Sequence, residues 1–506
     1  MNYSRTKSSR RQSRRASSGE FSNSARAKYY VFLSFVILVV LTGGASRPDV
    51  VSLLLLRPAA IIYLGLGCLM ITRQELATIC APLILLGSLA ALMVLQLIPL
   101  PPSIWAALPQ REIVYAIAQD LNMQNQWRPL SLAPSRTLNS FMSLSVPAAA
   151  MILFAQLGAK EKLKVPRIFI VAGIISMVAG LLQVAGPPDG LFYTYNLTNS
   201  GQMVGAFANR NHHAIFLACL IPVIAGLRLD SIDRNATRKS RDFLASNALM
   251  AGGLIFLLLY ILAIGSRAGA LFAIAGIIVS LAMWISHSRQ IMPLVSQIQQ
   301  NEKFSGPNIF KNRRVWLIAI VAMVTAGVLG LAIYLGRGLA FDRFLMLDEA
   351  DDLRRKILPV LFEMLKLHAY FGTGFGSFES VYKIWEPDQL LTTTYVNQAH
   401  NDVMQFWIEG GLPAAAIMSV FLLLLARQVF SLMRRGQNGG KYNFIMLAAL
   451  VGMAIMLFSS GVEYALRTPI MMTYFSLSTC LFFWLSNQSL NRDTTNNNLD
   501  EIRGFT

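Results

Sequence analysis

The feature that most constrains the fold of this chain is a series of about twelve apolar segments, each close to the roughly 20 residues that span a bilayer as a helix. A helix satisfies its own backbone hydrogen bonds in lipid, so such segments predict transmembrane helices. The segments are 29–45, 51–71, 78–98, 139–159, 166–185, 212–229, 247–265, 268–285, 315–335, 411–429, 443–461 and 469–487. We therefore predict an all-α integral membrane protein with about twelve transmembrane helices.

The composition agrees with this fold class. Hydrophobic residues make up 54% of the chain and charged residues only 14%, whereas soluble domains carry about 25% charged residues. A net charge of +18 would also suit a nucleic-acid-binding protein. However, the Lys and Arg residues stand in short segments between the apolar runs and form no basic domain. We predict membrane lipids, and no nucleic acid, as partners.

Basic residues alternate between successive connections, which predicts the topology by the positive-inside rule. The basic connections carry Arg10, Arg11, Arg14, Arg15, Lys160, Lys162, Lys164, Arg228, Arg234, Arg238, Lys239, Arg241, Lys311, Arg313, Arg314, Arg434, Arg435 and Lys441. They would be cytoplasmic, together with both termini. The connections 99–138, 186–211 and 336–410 would then lie outside.

The same pattern divides the chain into three parts. Residues 1–28 are rich in Ser and Arg and have few apolar residues, so we expect a disordered basic cytoplasmic tail. Residues 29–487 form the polytopic membrane domain, and residues 488–506 form a second cytoplasmic tail. Loops of bundle proteins are short, so the long loop 336–410 is predicted to be functional and to contain helices. One of these helices is expected over Asp348–Tyr370, because this stretch has acidic residues at its start and basic residues at its end, as the helix dipole favours.

Four polar groups stand where this topology places the outer membrane boundary. Singly, each has an ordinary structural explanation, because boundary arginines reach for headgroups, glycines form turns and a histidine can cap a helix. Together they supply several cations and one titratable base at one leaflet. The groups are FANRNHH at 207–213, GSRAG at 265–269, Arg354-Arg355 with GTGFGSF at 372–378, and QAHND at 398–402 with Glu409-Gly410-Gly411 after it.

In this order, the four groups resemble the O-antigen ligase family and the related polymerases of lipid-linked bacterial polysaccharides. The matching stretches read FANRNHHA, GSRAGALF, an Arg ahead of FGTGFGSF, and QAHNDVMQFWIEGGLP, within about residues 200–420. The resemblance implies a helical membrane fold of the GT-C type in the bacterial inner membrane. It also implies an active site that faces the periplasm, with 336–410 as the large periplasmic loop.

The resemblance further implies a glycosyltransferase that takes its glycan from an undecaprenyl-pyrophosphate donor, without a cofactor or a metal ion. It implies that Arg210 and Arg267 bind the donor pyrophosphate, and that His400 is the base for the acceptor hydroxyl. An Arg ahead of the glycine run would contribute, and both Arg354 and Arg355 are candidates. The residues expected to support the site are Asn209, Asn211, Ser266, Gly374, Gly376, Asn401 and Glu409.

This assignment is chemically consistent. Guanidinium groups bind phosphate oxygens in pairs and stabilise a pyrophosphate leaving group without a metal. A neutral imidazole can accept the proton of an otherwise poorly nucleophilic sugar hydroxyl. His212 and His213 compete with His400 for this role. The acids Asp348, Glu349, Asp351 and Asp352 could bind a divalent cation, but their position favours pairing with a helix N-terminus.

Three acceptors fit the shared donor: lipid A core, the growing glycan itself, and a protein hydroxyl. Polysaccharide-assembly proteins would be further partners. A different class of function is a transporter or flippase of the same lipid-linked glycan. Transporters usually show internal repeats and ionisable residues near the bilayer midplane, whereas the conspicuous arginines of this chain stand at the outer ends of its helices.

Overall fold

The structure is a computed structural model that describes residues 25–188, 190–196, 198–234, 240–299, 349–391, 395–437 and 443–504. Within these ranges, nine helical segments are long and apolar enough to cross a membrane, and two shorter apolar helices, Leu249–Ile264 and Phe444–Ser459, accompany them. The chain is therefore a mostly helical, multi-pass membrane protein. The predicted segment 315–335 lies outside the described residues, so the total of twelve and the GT-C type stay predictions.

The N-terminal part of the chain alternates long apolar helices with short elements. The elements are α1 (Ala25–Thr42), α2 (Leu53–Met70), α3 (Arg73–Ala77), α4 (Cys80–Leu97), β1 (Pro99–Leu100), α5 (Pro102–Ala106), α6 (Glu112–Asp120), β2 (Arg128–Pro129), α7 (Pro134–Ser143), α8 (Ser145–Ala155), α9 (Ala159–Lys162) and α10 (Val165–Ala185). β1 and β2 pair antiparallel, with Pro99 opposite Pro129. This small sheet is an exception to the all-α prediction, and it folds within the predicted outer loop 99–138.

The C-terminal part contains the longest helices. Its elements are α11 (Arg210–Arg234), α12 (Ser240–Ile264), α13 (Arg267–Gln299), α14 (Glu349–His368), α15 (Phe378–Trp385), α16 (Asp402–Gln437), α17 (Phe444–Ser459) and α18 (Pro469–Gly504), with 3-10 turns at Asp388–Leu390 and Ala465–Arg467. The helix predicted over Asp348–Tyr370 corresponds to α14. Helix α16 has a sharp bend at Gly411, whose φ is 64°.

Helices α11 and α18 form the centre of the molecule. Helix α11 packs against α12, α13 and α17, and α18 packs against α8 and α17. Of the spanning part of α18, 89% is buried, against 22% for α1, α2 and α4. Helices α1, α2 and α4 therefore turn most of their apolar side chains outward, where lipid is the surrounding solvent. Aromatic rings such as Phe169, Phe216 and Tyr474 fill the centre.

The predicted outer loop 336–410 contains a small helical unit with its own apolar core. Ile357, Leu361 and Met364 of α14 pack against Phe378 and Tyr382 of α15. Helix α14 also packs against α16. The helices expected in this loop are thus present in its described part. Its last residues, from Asp402 onward, already belong to α16, so the span predicted at 411–429 begins earlier than expected.

The ends of two helices differ from the boundaries drawn from the sequence. Helix α1 begins at Ala25, inside the tail expected to be disordered over 1–28, and the Nζ of Lys28 lies 3.0 Å from Glu75 Oε1. This ion pair ties the first turn of α1 to the start of α3. At the other end, α18 continues as a helix to Gly504, through most of the predicted tail 488–506. Residues 1–24 lie outside the described residues.

The topology gives a direct prediction. With the exposed cysteines Cys68 and Cys80 replaced by Ser, we expect Gln389→Cys in the 336–410 loop to react with a membrane-impermeant maleimide on intact cells. The matched control, Lys160→Cys at the exposed start of α9, should react only after permeabilisation, because its basic surroundings predict a cytoplasmic position. Labelling in the reverse pattern would overturn the outside location of the loop.

Candidate functional site

His400 lies in the turn before α16, and its backbone is in the left-handed region, with φ 51°. For a residue with a Cβ this conformation costs about 1–2 kcal/mol, so neighbouring contacts have to hold it. Gln405 Oε1 accepts a hydrogen bond of 2.9 Å from the Ala399 N–H. The Asp402 N–H donates one of 2.7 Å to the Ser460 carbonyl. The backbone is therefore fixed on both sides of His400.

Three of the predicted supporting residues are helix caps. Asn401 Oδ1 accepts the Met404 N–H at 3.0 Å at the start of α16. Asn209 Oδ1 accepts the Asn211 N–H at 2.8 Å at the start of α11. Ser266 Oγ accepts an N–H of the first turn of α13 at 3.2 Å. Such caps satisfy backbone donors that a helix leaves unpaired, and they fix the three helix ends at which the polar groups lie.

The buried carboxylate of Glu463 brings several of these groups together. Its Oε1 accepts hydrogen bonds from Asn211 Nδ2 at 2.7 Å and from Arg354 Nη2 at 2.5 Å. Its Oε2 lies 3.9 Å from His400 Nδ1. Arg355, the next residue of α14, is exposed. Of the two arginines that the sequence left open, Arg354 is therefore the one that reaches the cluster around His400.

A tyrosine ring contacts both His400 and a second histidine. The centroid of the Tyr464 ring lies 4.8 Å from that of His212 and 4.7 Å from that of His400, with the ring planes nearly perpendicular in both pairs. His213 points elsewhere, since its Nδ1 lies 2.9 Å from the Met203 carbonyl and its ring is fully buried. Of the two competing histidines, His212 shares the cluster and His213 packs in the core.

The electrostatics of the segment 463–467 follow from its burial and its neighbours. Burial raises the pKa of Glu463, but the His400 ring and the Arg354 guanidinium lower it more strongly, so this pKa lies below its ordinary value. Burial raises the pKa of Tyr464 to about 12. Burial lowers the pKa of Arg467, but Glu409 and Asp402 raise it further, so the net shift is upward. At neutral pH the segment holds a carboxylate, a neutral phenol and a guanidinium.

Arg210 and Arg267 begin two helices that pack side by side. The turn before α13 uses Gly265 with φ 72°, a conformation that glycine adopts without strain. Gly269 then lies directly against Ala214, one turn beyond Arg210 in α11, and a Cβ on Gly269 would come within 2.4 Å of the Ala214 Cβ. The two N-terminal turns are therefore neighbours, and the residue after Arg210, Asn211, bonds to Glu463.

Glu409 anchors the glycine-rich loop to α16. It is fully buried, and its Oε1 accepts hydrogen bonds from Gln405 Nε2 at 3.0 Å and from the Phe378 N–H at 3.3 Å. Its Oε2 lies 3.5 Å from Arg467 Nη2, while Arg467 Nε donates to Asp402 Oδ1 at 2.7 Å. Glu409 is thus part of a buried ion-pair network that fixes the loop relative to α16.

The glycines of this loop allow close packing. Gly372, Gly374 and Gly376 have φ values of 70°, 100° and 80°. A Cβ would come within 2.2 Å of Ser131 Oγ at Gly374 and within 2.5 Å of Ser140 Oγ at Gly376. Only glycine fits both the backbone conformation and the space. The predicted supporting residues Gly374 and Gly376 therefore pack the loop against the segment before α7 and against α7 itself.

A cavity of about 490 Å³ opens beside this network, between α2, α4, α8, α16 and α18. Among the described residues, its charged lining consists of Arg47, Arg57, Arg136, Arg467, Asp49, Glu379, Asp402 and Glu409. The lining does not include His400, Glu463, Arg354, Arg210 or Arg267. The cavity thus adjoins the His400 cluster through Gln398 and Asp402, which line it, without including the cluster itself.

Residues 252–419, about a third of the chain, match the family model described as O-Antigen ligase. The match confirms the resemblance to the O-antigen ligase family. The matched region contains Arg267, Arg354 and His400, and its apolar helices agree with a multi-pass membrane protein. Arg210 and Glu463 lie outside it. No curated protein matches the chain.

The sequence analysis did not identify two charged residues that lie in the site. Glu463 and Arg467 lie beyond the stretch that resembles the O-antigen ligase family. They are the only acid and the only base between Lys441 and Arg492. An isolated charged residue between two apolar spans is energetically unfavourable in the membrane and usually has a function. This pattern could therefore have identified both residues from the sequence.

Proposed function

We propose that this protein is a glycosyltransferase of the O-antigen ligase type that acts at the outer face of the bacterial inner membrane. It transfers a glycan from an undecaprenyl-pyrophosphate donor to an acceptor hydroxyl. The observation that carries this proposal is the meeting of three residues, Asn211, Arg354 and His400, at the buried carboxylate of Glu463. The family match over 252–419 supports the type of reaction.

In the proposed reaction, the acceptor oxygen attacks the anomeric carbon of the donor glycan. The bond between that carbon and the pyrophosphate oxygen breaks, and the pyrophosphate leaves with the bonding electrons. His400 accepts the proton of the acceptor hydroxyl. Arg210, Arg267 and Arg354 stabilise the negative charge that develops on the leaving group, because guanidinium groups bind phosphate oxygens bidentately.

Glu463 acts in this scheme as a positioning residue. His400 Nδ1 faces Glu463 Oε2, and within the described residues neither atom has a hydrogen-bond partner. Their separation of 3.9 Å is longer than a hydrogen bond, and catalytic contacts of this kind often shorten when substrate binds. A proton held on Nδ1 by the carboxylate leaves Nε2 as the basic nitrogen of the ring.

The acceptor distinguishes ligation from polymerisation. Lipid A core and a growing glycan both supply a hydroxyl, and both reactions use the same donor and the same base. The proposal therefore covers either acceptor, with polysaccharide-assembly proteins as partners. Metal independence is part of it, since the arginines supply the charge that a divalent cation would otherwise provide.

We expect His400→Ala to fold, insert and bind donor but to transfer glycan about 10²- to 10⁴-fold more slowly, the usual contribution of a general base. The measurement is the transfer rate per folded molecule, with and without EDTA. His368→Ala is the matched control, because His368 is a buried histidine of the outer helical unit that packs on Trp385. It should leave the specific rate near that of wild type.

Two results would contradict the roles assigned here. A His400→Ala protein as fast as wild type would remove His400 as the base. Loss of wild-type activity in EDTA, restored by magnesium or manganese, would show that a metal ion takes part.

Replacing Arg354 should be far more damaging than replacing its neighbour Arg355. Arg354→Ala removes the guanidinium at Glu463, so we expect the catalytic efficiency to fall by about 10²-fold or more, as for loss of one charge-stabilising donor. Arg354→Lys should recover only part of the catalytic efficiency, because lysine lacks the planar guanidinium that donates two parallel hydrogen bonds. Arg355→Ala, at an exposed site, should change little. Equal losses for both alanine variants would exclude the assignment of Arg354.

Replacing Glu463 tests its positioning role. We expect Glu463→Gln to lower kcat by about tenfold or more while the KM for the acceptor changes little, because loss of base orientation weakens only the transition state. Glu463→Asp should recover part of kcat. Glu363→Gln is the control, since Glu363 is an exposed acid of α14 that pairs with Lys366 and lies outside the cluster; it should leave kcat near that of wild type. If Glu463→Gln and Glu463→Asp only lowered thermal stability and kept kcat per folded molecule, Glu463 would be structural.

A further inference from the structure

Arg57 is a charged residue on a membrane-spanning helix that the reaction above does not use. It lies near the start of α2 and lines the cavity between α2, α4, α8, α16 and α18. Its Nε is buried without a hydrogen-bond partner. Within the described part of the chain, its guanidinium has no ion pair and no aromatic partner either. Such a cation is unfavourable in apolar surroundings unless an anion accompanies it.

The other arginines of the cavity differ from Arg57 because each is paired with a carboxylate. The shortest N–O distances are 2.7 Å for Arg47 with Asp49, 3.4 Å for Arg136 with Glu379 and 2.7 Å for Arg467 with Asp402. Among the described residues no carboxylate pairs with Arg57, so its guanidinium is available to an anionic ligand.

The remainder of the cavity suits hydrocarbon. Its walls carry Leu85, Leu89, Met151, Phe421 and Phe475 from four helices of the membrane domain. A volume of about 490 Å³ is within the range of ligand pockets in proteins. Apolar walls with one charged group select an amphiphile, whose chains pack between the helices while its headgroup meets the charge.

We propose that this cavity binds a glycerophospholipid, with its phosphodiester paired to Arg57 and its acyl chains between α2, α4, α8 and α16. A guanidinium binds a phosphodiester through two parallel hydrogen bonds. The site goes beyond the proposed function: its lining includes Gly376 and Glu409, which pack the glycine-rich loop, but not His400, Glu463, Arg354, Arg210 or Arg267.

The charge balance favours a phosphodiester over a pyrophosphate. The charged lining within the described residues contains four arginines and four carboxylates, so it has no excess of positive charge. One unpaired guanidinium matches the single negative charge of a phosphodiester. A pyrophosphate carries at least one charge more and would require a further cation, which three of the four arginines cannot supply because they are already paired.

The test is lipid binding to the purified, delipidated full-length protein in detergent, measured by native mass spectrometry. The probe is palmitoyl-oleoyl phosphatidylglycerol, and diacylglycerol with the same chains shows what the phosphate contributes. We expect one tightly bound phosphatidylglycerol and weaker diacylglycerol binding. Arg57→Ala should weaken phosphatidylglycerol binding at least about tenfold, which corresponds to about 1.4 kcal/mol.

Two further variants keep the result interpretable. Arg427→Ala is the matched control, because Arg427 lies on the exposed face of α16 and does not line the cavity; it should bind lipid like wild type. Leu89→Trp leaves Arg57 intact but fills the cavity, so it should also lose the bound lipid. The measurement involves no glycan transfer, so its outcome is independent of the reaction proposed above.

Three outcomes would overturn the proposal. Equal binding by Arg57→Ala and Arg427→Ala would mean that Arg57 only reaches for the bilayer surface. Undiminished binding by Leu89→Trp would place the lipid elsewhere. Arg57-dependent binding of undecaprenyl pyrophosphate, without binding of phosphatidylglycerol, would identify the lipid carrier of the donor as the occupant.

Discussion

The charges of one short segment, 463–467, hold together the elements around the candidate site. Glu463 holds Arg354 of the outer helical unit, and Arg467 holds Asp402 and Glu409 of α16. Removing one partner of a buried ion pair costs about 3–5 kcal/mol, because the other charge is left without compensation in a medium of low polarity. The loop between α17 and α18 therefore fixes the positions of elements that lie far from it in the sequence.

Part of the irregular backbone of the molecule lies in the elements next to this segment. His400 and Gly411 both have positive φ, one at the start of α16 and one at its bend, and the loop 372–376 contains three more such positions. Non-helical backbone at the membrane boundary is tolerated only where protein satisfies its polar groups. Here the Glu409 carbonyl accepts the Gly374 N–H and Gln96 Nε2, each at 2.9 Å. These bonds hold the glycine-rich loop in one arrangement against α16 and α4.

The same segment contributes to two places of different chemistry. Glu463 lies beside His400 in a polar cluster. Arg467 lines an apolar cavity in which Arg57 is the cation that lacks a partner among the described residues. Only three residues separate Glu463 from Arg467, so the cavity and the cluster share a short stretch of backbone.

The sequence alone determined the membrane class, most of the apolar helices, the helix α14 and the approximate place of the polar groups. These properties depend on local composition, on helix length relative to the bilayer and on short motifs. The tertiary structure decided that Arg354 reaches the cluster, that Glu409 anchors a loop, and that Glu463 lies beside His400. Glu463 and Arg354 are 109 residues apart. No local pattern specifies a contact over that distance, because it depends on how the helices between them pack.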